Sequence, residues 1–201
     1  MTTTGGATAF DAVVLAGGRA RRLGGVDKPG LDVSGRSMAA RVVGAAADAS
    51  RVVLVGPGRE DVSVDVATRE DPPGSGPVSA LAAGVEHVTA PVVVTLAADL
   101  PFVTGEDVRA LVEALLSDPV AGVAVAVDDE GADQWLLACW RTDVLRPLLA
   151  GLAPLDGMSL RRVYRDQQVC RVRLPSRPGA PPWFDCDTPD DVDAARARGQ
   201  A

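Results

Sequence analysis

Val13-Val14-Leu15-Ala16-Gly17-Gly18-Arg19-Ala20-Arg21-Arg22-Leu23-Gly24-Gly25-Val26-Asp27-Lys28-Pro29 is the stretch on which the fold turns. An apolar run over residues 12–16 ends abruptly in a glycine pair, the way a buried strand hands over to a tight loop. Glycine tolerates left-handed backbone, so Gly17, Gly18, Gly24 and Gly25 let main-chain N–H groups approach an anion with no Cβ in the way. Three arginines and Lys28 share the loop. Together they describe a site for several negative charges, most simply a nucleoside triphosphate. It is not a Walker A loop, because no Gly-Lys-Ser/Thr follows, nor a Rossmann fingerprint, because no Gly-x-Gly-x-x-Gly follows the strand. A glycine-rich turn with solvated arginines is the plain alternative.

Outward from this loop, apolar runs at 12–16, 52–55, 92–96 and 120–127 read as strands. Helical spacing lies between them: residues 38–49 behind a Ser37 cap, 78–88 behind Pro77, and 108–116 behind Thr104 with Glu106 and Asp107 in the first turn. The alternation predicts an α/β fold of three layers, α/β/α and Rossmann-like, with a mostly parallel central sheet. Ligands bind such sheets at the carboxyl ends of the strands. The glycine loop leaves the first strand at that edge, and Asp99 leaves the 92–96 strand at the same edge. Beyond residue 127 come an acidic turn at 128–131, a strand at 135–140, and short helices at 142–149 and, behind Ser159, to Tyr164. A Pro-rich segment leads to a terminal helix with Thr188 as N-cap, Pro189 at the first helical position and Asp191 at the capping-box position.

The chain has 201 residues and reads as one domain over 9–199, after a disordered stretch at 1–8. It is rich in Ala, Val and Gly and poor in aromatics, so its core must be built from many small aliphatic contacts. Its net charge of −7 argues against nucleic acid as a partner. Cys139, Cys170 and Cys186 have neither disulfide-framework nor zinc spacing. No signal peptide or membrane-spanning run is visible, which predicts a cytoplasmic protein, monomeric or weakly homo-oligomeric, that engages no membrane.

Two groups of carboxylates fit a triphosphate. Asp99 stands just past an apolar strand in Thr95-Leu96-Ala97-Ala98-Asp99-Leu100-Pro101-Phe102. Alone it is an ordinary loop-opening aspartate; at this edge it is placed for Mg²⁺, which binds through one or two carboxylates plus phosphate oxygens and waters. Asp185 and Asp187 are not needed for the terminal cap, and as alternate residues of an extended segment they share a face.

LAGGRARRLGGVDKP resembles the signature loop of the GT-A-type nucleotidyltransferases, in the form carried by the MobA-like molybdenum cofactor guanylyltransferases, approximately LAGG-x-S-x-R-M/F-G-x-D-K-x-L. Leu15 to Gly18, Arg22, Gly24, Asp27 and Lys28 match. Ala20 stands where Ser is usual, one glycine is extra, and Pro29-Gly30-Leu31 replaces x-Leu-Leu. The resemblance continues through Asp71 and Gly76-Pro77-Val78-Ser79-Ala80-Leu81, similar to D-x(n)-G-P-L-A-G/A-L, and through the D-x-P-F motif at Asp99. Gln134 to Trp140 is similar to Q-P-L-x-A-x-Y with Trp135 in place of Pro. Ser159-Leu160-Arg161 is similar to S-L/V-R. The segment from Asp185 to Asp191 is similar to N-x-N-T-P-E-D, with Asp at both Asn positions, a form also found in related cytidylyltransferases. The matches run in order from about residue 12 to residue 191.

This resemblance implies a GT-A nucleotidyltransferase fold and transfer of GMP from GTP to molybdopterin-bound molybdenum, with release of pyrophosphate. It implies catalytic roles for Lys28, Arg22 and Asp99. Nucleotide binding would fall to Leu15, Ala16, Gly17, Gly18, Arg19, Lys28, Asp71, Gly76 and Pro77. Mg²⁺ would sit at Asp99 with Asp187 and Asp185, and the acceptor at Gln134, Ser159 and Arg161. Asp71 would accept from the guanine N1–H and N2 amine, a donor pair that only guanine presents. Trp135, Trp140 and Trp183 read as core or rim aromatics. Three alternatives stand beside it: a cytidylyltransferase on the same cofactor, another NTP-dependent transferase acting on a sugar or alcohol phosphate, and a non-catalytic nucleotide-binding regulator. Leu15-Ala16-Gly17-Gly18 with Gly76-Pro77 favours the guanine branch over the cytidine branch, which reads L-A-A-G. Lys28 and the three carboxylates favour an enzyme over a regulator.

Overall fold

Strand β1 (Phe10–Leu15) is buried at every position, as its unbroken apolar sequence requires, and lies inside a seven-stranded sheet. The computed structural model describes residues 8–17, 27–175, 177 and 179–198. After a single 3₁₀ turn (Lys28–Gly30) come a small hairpin, β2 (Asp32–Val33) and β3 (Arg36–Ser37), then α1 (Met38–Ala45), β4 (Arg51–Val55), β5 (Val66–Thr68) and α2 (Pro77–Val85). The second half runs β6 (Val92–Ala97), α3 (Gly105–Ser117), β7 (Val123–Val127), β8 (Asp133–Arg141), α4 (Thr142–Gly151), α5 (Leu160–Tyr164), β9 (Val169–Arg173) and α6 (Pro189–Arg198).

The sheet order is β5-β4-β1-β6-β8-β7-β9. Every pairing is parallel except those of β8, which runs antiparallel to β6 and to β7. Side chains alternate along β1, so Ala12 and Val14 join one apolar layer while Val13 and Leu15 join the other. Helices α1 and α3 cover the first layer through Val42, Leu111 and Leu115; α2, α4 and α5 cover the second through Leu81, Leu145 and Val163. This is the expected three-layer architecture. The small-residue composition lets the layers approach closely. At Gly84 of α2, a Cβ would come within 2.5 Å of Val13 Cγ1 and 2.8 Å of Val55 Cγ2.

Several boundaries differ from the sequence reading. β7 starts at Val123 rather than 120, because Asp118 Oδ1 accepts from the N–H groups of Val120 and Ala121 and holds them in a turn, leaving Val120 72% exposed. α1 stops at Ala45 and α2 at Val85, each passing into turns. β5 and β9, both at sheet edges, have no counterpart among the expected strands. The caps agree well. Ser37 accepts from Ala40 N–H, Thr104 and Asp107 form a reciprocal capping box, and so do Thr188 and Asp191.

A third, smaller apolar cluster of Val33, Met38, Phe102, Cys186, Val192 and Ala195 ties α6 and the hairpin to the carboxyl edge of the sheet. Burial pushes the Cys186 thiol up to about 12, so it is an inert packing group. With Cys186 turned inward, its neighbours Asp185 and Asp187 are left toward the open side. No helix among the described residues is long and apolar enough to cross a membrane.

Candidate active site

The carboxyl ends of β1 and β6 lie side by side, with Leu15 opposite Ala97. They open onto a cleft of about 360 Å³ lined by Leu15, Gly17, Glu70, Gly76, Pro77 and Asp99 among others. Ala16 is buried beneath it, its N–H bonded to Val55 O at 2.8 Å. Gly76, at φ +103°, makes the turn that puts Pro77 at the start of α2. The sheet edge, the glycine strand end and the Gly-Pro helix start therefore converge as the sequence suggested. Gly18, Arg19 and Arg22 lie outside the described residues.

At the Asp99 wall of this cleft the Lys28 ammonium donates to Asp99 Oδ2 and to Asp187 Oδ1, both at 2.6 Å. Lys28 is mostly buried, with 14% of its side chain exposed; Asp99 and Asp187 are more open. Burial works to lower the Lys28 pKa, but the Asp99 and Asp187 carboxylates outweigh it and hold the ammonium above its usual range. Asp185 is raised, first by burial and then by the neighbouring Asp187 and Asp99 charges. Three acidic residues and one lysine, gathered from β6, the pre-α6 segment and the loop after β1, thus form one electrostatic unit.

Such hard oxygen donors suit a divalent cation such as Mg²⁺. Asp99 and Asp187 converge on one point, now held by the Lys28 nitrogen. No three acidic, histidine or cysteine side chains among the described residues are grouped to hold an ion by themselves. Phosphate oxygens would have to complete the shell, which is how Mg²⁺ is commonly bound with nucleotides.

The cleft wall also holds a residue the sequence reading missed. Asp71 is exposed and does not line the cleft; its neighbour Glu70 does, and is only 7% exposed. Glu70 Oε1 accepts from Gly74 N–H at 2.8 Å, while the buried Oε2 has no hydrogen-bond partner among the described residues. No pattern in Glu70-Asp71-Pro72-Pro73 singles out the first acid, because the path of the loop decides which one turns inward. Arg59 was also missed. It pairs with Asp27 at 2.6 Å and pins the residue before Lys28.

The three residues expected on the acceptor side do not gather. Gln134 Nε2 donates to Asp128 Oδ2 at 3.0 Å and braces the acidic turn. Ser159 is an exposed N-cap residue of α5 without a side-chain cap bond. Arg161 faces a separate cavity of about 670 Å³ whose wall includes Trp135 and Tyr164. Trp140 is fully buried and Trp183 packs against the core.

A family model described as the MobA-like NTP transferase domain matches residues 12–172. A molybdenum cofactor guanylyltransferase from Rhodopseudomonas palustris strain BisB5 is 32% identical over 198 residues, 92% of this chain and 91% of that protein. The solved molybdopterin-guanine dinucleotide biosynthesis protein A of Archaeoglobus fulgidus superposes with a TM-score of 0.73 at 19% identity, covering 94% of this chain and 98% of that one. A 2-C-methyl-D-erythritol 4-phosphate cytidylyltransferase from Thermus thermophilus superposes with a TM-score of 0.71 at 20% identity, over 94% of this chain and 98% of that one. At these identities the two structures speak for the fold alone, which is common to a molybdopterin-guanine dinucleotide biosynthesis protein and a cytidylyltransferase.

Proposed function

The chain belongs to the MobA-like NTP transferase family, and we propose that it transfers GMP from GTP to molybdopterin-bound molybdenum, releasing pyrophosphate. The observation that carries this reading is the convergence of Lys28 and Asp187 on Asp99, in the wall of a cleft also lined by Glu70 and the Gly76-Pro77 turn. A nucleotide fits that arrangement with its phosphates beside Lys28 and Asp99 and its base beside Glu70. Glu70 lines the cleft and its buried Oε2 has no hydrogen-bond partner among the described residues, which supports passing the base-selecting role, acceptance from the guanine N1–H and N2 amine, from Asp71 to Glu70.

An acceptor phosphate oxygen attacks the α-phosphorus in line and pyrophosphate departs, chemistry that calls for positioning and charge neutralisation rather than a covalent intermediate. Lys28 supplies a positive charge to the transferring group and to the leaving pyrophosphate. Asp99 and Asp187, with Asp185 beside them, would hold Mg²⁺, whose charge offsets that of the phosphates. Leu15, Ala16 and Gly17 present backbone to the nucleotide; Gly18 and Arg19 add to its binding and Arg22 to catalysis on the strength of the sequence match alone. The same reading has the protein act in the cytoplasm as a monomer or weak homo-oligomer, and no helix among the described residues is long and apolar enough to cross a membrane.

The test is direct. Incubated with Mg²⁺, molybdopterin-bound molybdenum and each nucleoside triphosphate in turn, the protein should release pyrophosphate fastest with GTP. Faster release with CTP would transfer the assignment to cytidylyl transfer, and no release with any triphosphate would leave a nucleotide-binding protein without this activity.

A further inference from the structure

Lys28 is the only lysine in the chain. Its ammonium ends a flexible four-carbon stem, so where the charge stands depends on how the backbone beneath it is held. The residue before it, Asp27, is gripped by Arg59, which lies in the loop between β4 and β5 and has only 9% of its side chain exposed. Arg59 Nε and Nη2 close a fork on the two oxygens of Asp61 at 3.0 and 3.3 Å, and Nη1 donates to Asp27 Oδ2 at 2.6 Å. Asp61 Oδ2 also accepts from the Ser37 hydroxyl, whose oxygen caps α1 by accepting from Ala40 N–H. A bidentate pair fixes the plane of the guanidinium, so the third nitrogen points one way and Asp27 comes to it. One line of bonds thus runs from the start of α1, through Asp61 and Arg59, to the residue before Lys28.

That line crosses the 3₁₀ turn that begins at Lys28. At Gly30 a Cβ would come within 2.6 Å of Arg59 Nη2 and nearer still to Asp27 Oδ2. Gly30 does not adopt the left-handed backbone that calls for glycine, so the turn itself would accept a side chain. The ion pair is what leaves no room for one. The signature loop that this segment resembles has leucine here, and in this chain the space goes to the Asp27 and Arg59 side chains instead.

We infer that Arg59 is a positioning residue for nucleotidyl transfer: held by Asp61 and reaching Asp27 over the bare face of Gly30, it sets where the Lys28 ammonium stands beside Asp99. This rests on the nucleotidyl-transfer reading and adds to it a residue that acts through Asp27 and Lys28 and is not among those lining the cleft. Asp27 is 60% exposed, so its pair with Arg59 adds little to overall stability, as solvent-screened pairs do. Loss of position and loss of fold can therefore be told apart.

The sole lysine supplies the readout. Protein grown with lysine carrying ¹³C at Cε gives one side-chain signal by nuclear magnetic resonance, which reports the surroundings of the Lys28 ammonium without turnover. Pyrophosphate release gives kcat and KM for GTP alongside, with thermal melts as the check on folding. Arg59→Gln, Asp27→Ala and Gly30→Ala should each move the Lys28 signal and lower kcat at least about tenfold, because a misplacement of about 1 Å can cost more than that. The KM for GTP and the melt should be little changed. Gly30→Ala leaves every charge in place, and Asp27→Ala leaves the Arg59–Asp61 fork, so the test does not depend on one variant folding. The double variant Arg59→Gln/Asp27→Ala should be no slower than the slower single variant, since both remove one bond. Arg109→Gln, which breaks an exposed pair between α3 and Asp48, should change neither signal nor rate. With an active wild type, three results each overturn the positioning role and leave the transfer reading intact: a Lys28 signal unmoved in the three variants, a kcat unchanged when the signal moves, or losses that multiply in the double variant. A wild type that releases no pyrophosphate with any nucleoside triphosphate overturns the transfer reading and the positioning role together.

Discussion

Lys28 and Asp99 stand 71 positions apart in sequence, and their side chains meet at 2.6 Å. The same ammonium reaches Asp187 across 159 positions. One lysine thus neutralises carboxylates delivered by the fourth strand of the sheet order and by the segment before the last helix, and it stands where a cation shared by those carboxylates would stand. Phosphates, and a divalent ion if one is bound with them, would compete for partners that Lys28 now satisfies.

Lys28→Ala should therefore have two effects of opposite sign. Turnover should fall, with roughly 2–4 kcal/mol lost in transition-state stabilisation. A change in KM with kcat intact would make Lys28 a ground-state binding residue instead. In the absence of nucleotide, the same variant should bind Mn²⁺ more tightly than wild type by electron paramagnetic resonance titration, because the ammonium no longer occupies the space between Asp99 and Asp187. Lys28→Arg should restore activity only in part, since a planar fork cannot replace a compact ammonium.

Asp99→Asn keeps the side-chain shape and removes its charge. Steady-state kinetics should show turnover reduced on the order of a hundredfold or more, the scale of deleting an electrostatic element of a transition state. The thermal melt should be little changed, since the side chain is partly exposed and Lys28 keeps Asp187 as its partner. A folded variant with near-normal turnover would reduce Asp99 to a loop-opening residue.

Glu70→Gln tests base selection. The amide oxygen can still accept from Gly74 N–H, but an NH₂ group then stands in place of Oε2, which has no partner among the described residues. Guanine donors would meet a donor, so GTP should bind at least about tenfold more weakly, about 1.4 kcal/mol, with CTP unaffected. Calorimetry with both nucleotides decides the matter, since equal losses for GTP and CTP would make Glu70 a brace for the 72–76 loop and nothing more.

The cap of α6 predicts a pH dependence with a definite sign. Thr188 Oγ1 accepts from Asp191 N–H at 3.2 Å, and Asp191 Oδ2 accepts from the Thr188 hydroxyl and N–H, both at 2.7 Å. The Thr188 hydroxyl bond holds the Asp191 carboxyl below its ordinary value of 3.8. A depressed carboxyl pKa contributes stability that is complete above the unfolded value and is lost as pH falls through the folded one. Thr188→Ala should cost about 1 kcal/mol near neutrality. In denaturant melts, that deficit relative to wild type should shrink as the solution is acidified below the ordinary carboxyl range; a deficit constant down to strong acid would rule the mechanism out.

What could be read from residues alone followed from local physics. The apolar run of β1 can only be a buried strand, and Thr188-Pro189-Asp190-Asp191 can only begin a helix. Asp99 was legible because it closely follows such a strand. The remainder depended on distant chain segments. β9, Val169-Cys170-Arg171-Val172-Arg173, carries arginines on a sheet edge and has no apolar run to betray it, and β5 has only three residues. Glu70 and Asp71 are equivalent as letters, and only the packed course of the loop turns one inward. The grouping of Arg161 and Trp135 around one cavity needed α5 to meet β8, which no spacing announces.

β7 and β8 fall out of step at one place: Val125 pairs with Ala138, but the next residue, Ala126, pairs with Gln134. Trp135 and Leu136 lie in the slack, held by neither β7 nor β6, whose last partner is Leu137. Released from strict alternation, both residues sit on the layer beneath α2 and α4. The partition between the two cavities is therefore made from the surplus length of one strand. Deleting one residue there would thin the divider and run the two chambers together. The same deletion between 138 and 141 would turn the rest of the strand inside out and cost the fold itself. The divider between the nucleotide cleft and the cavity beside α5 is set by the one place where the sheet abandons its regular count.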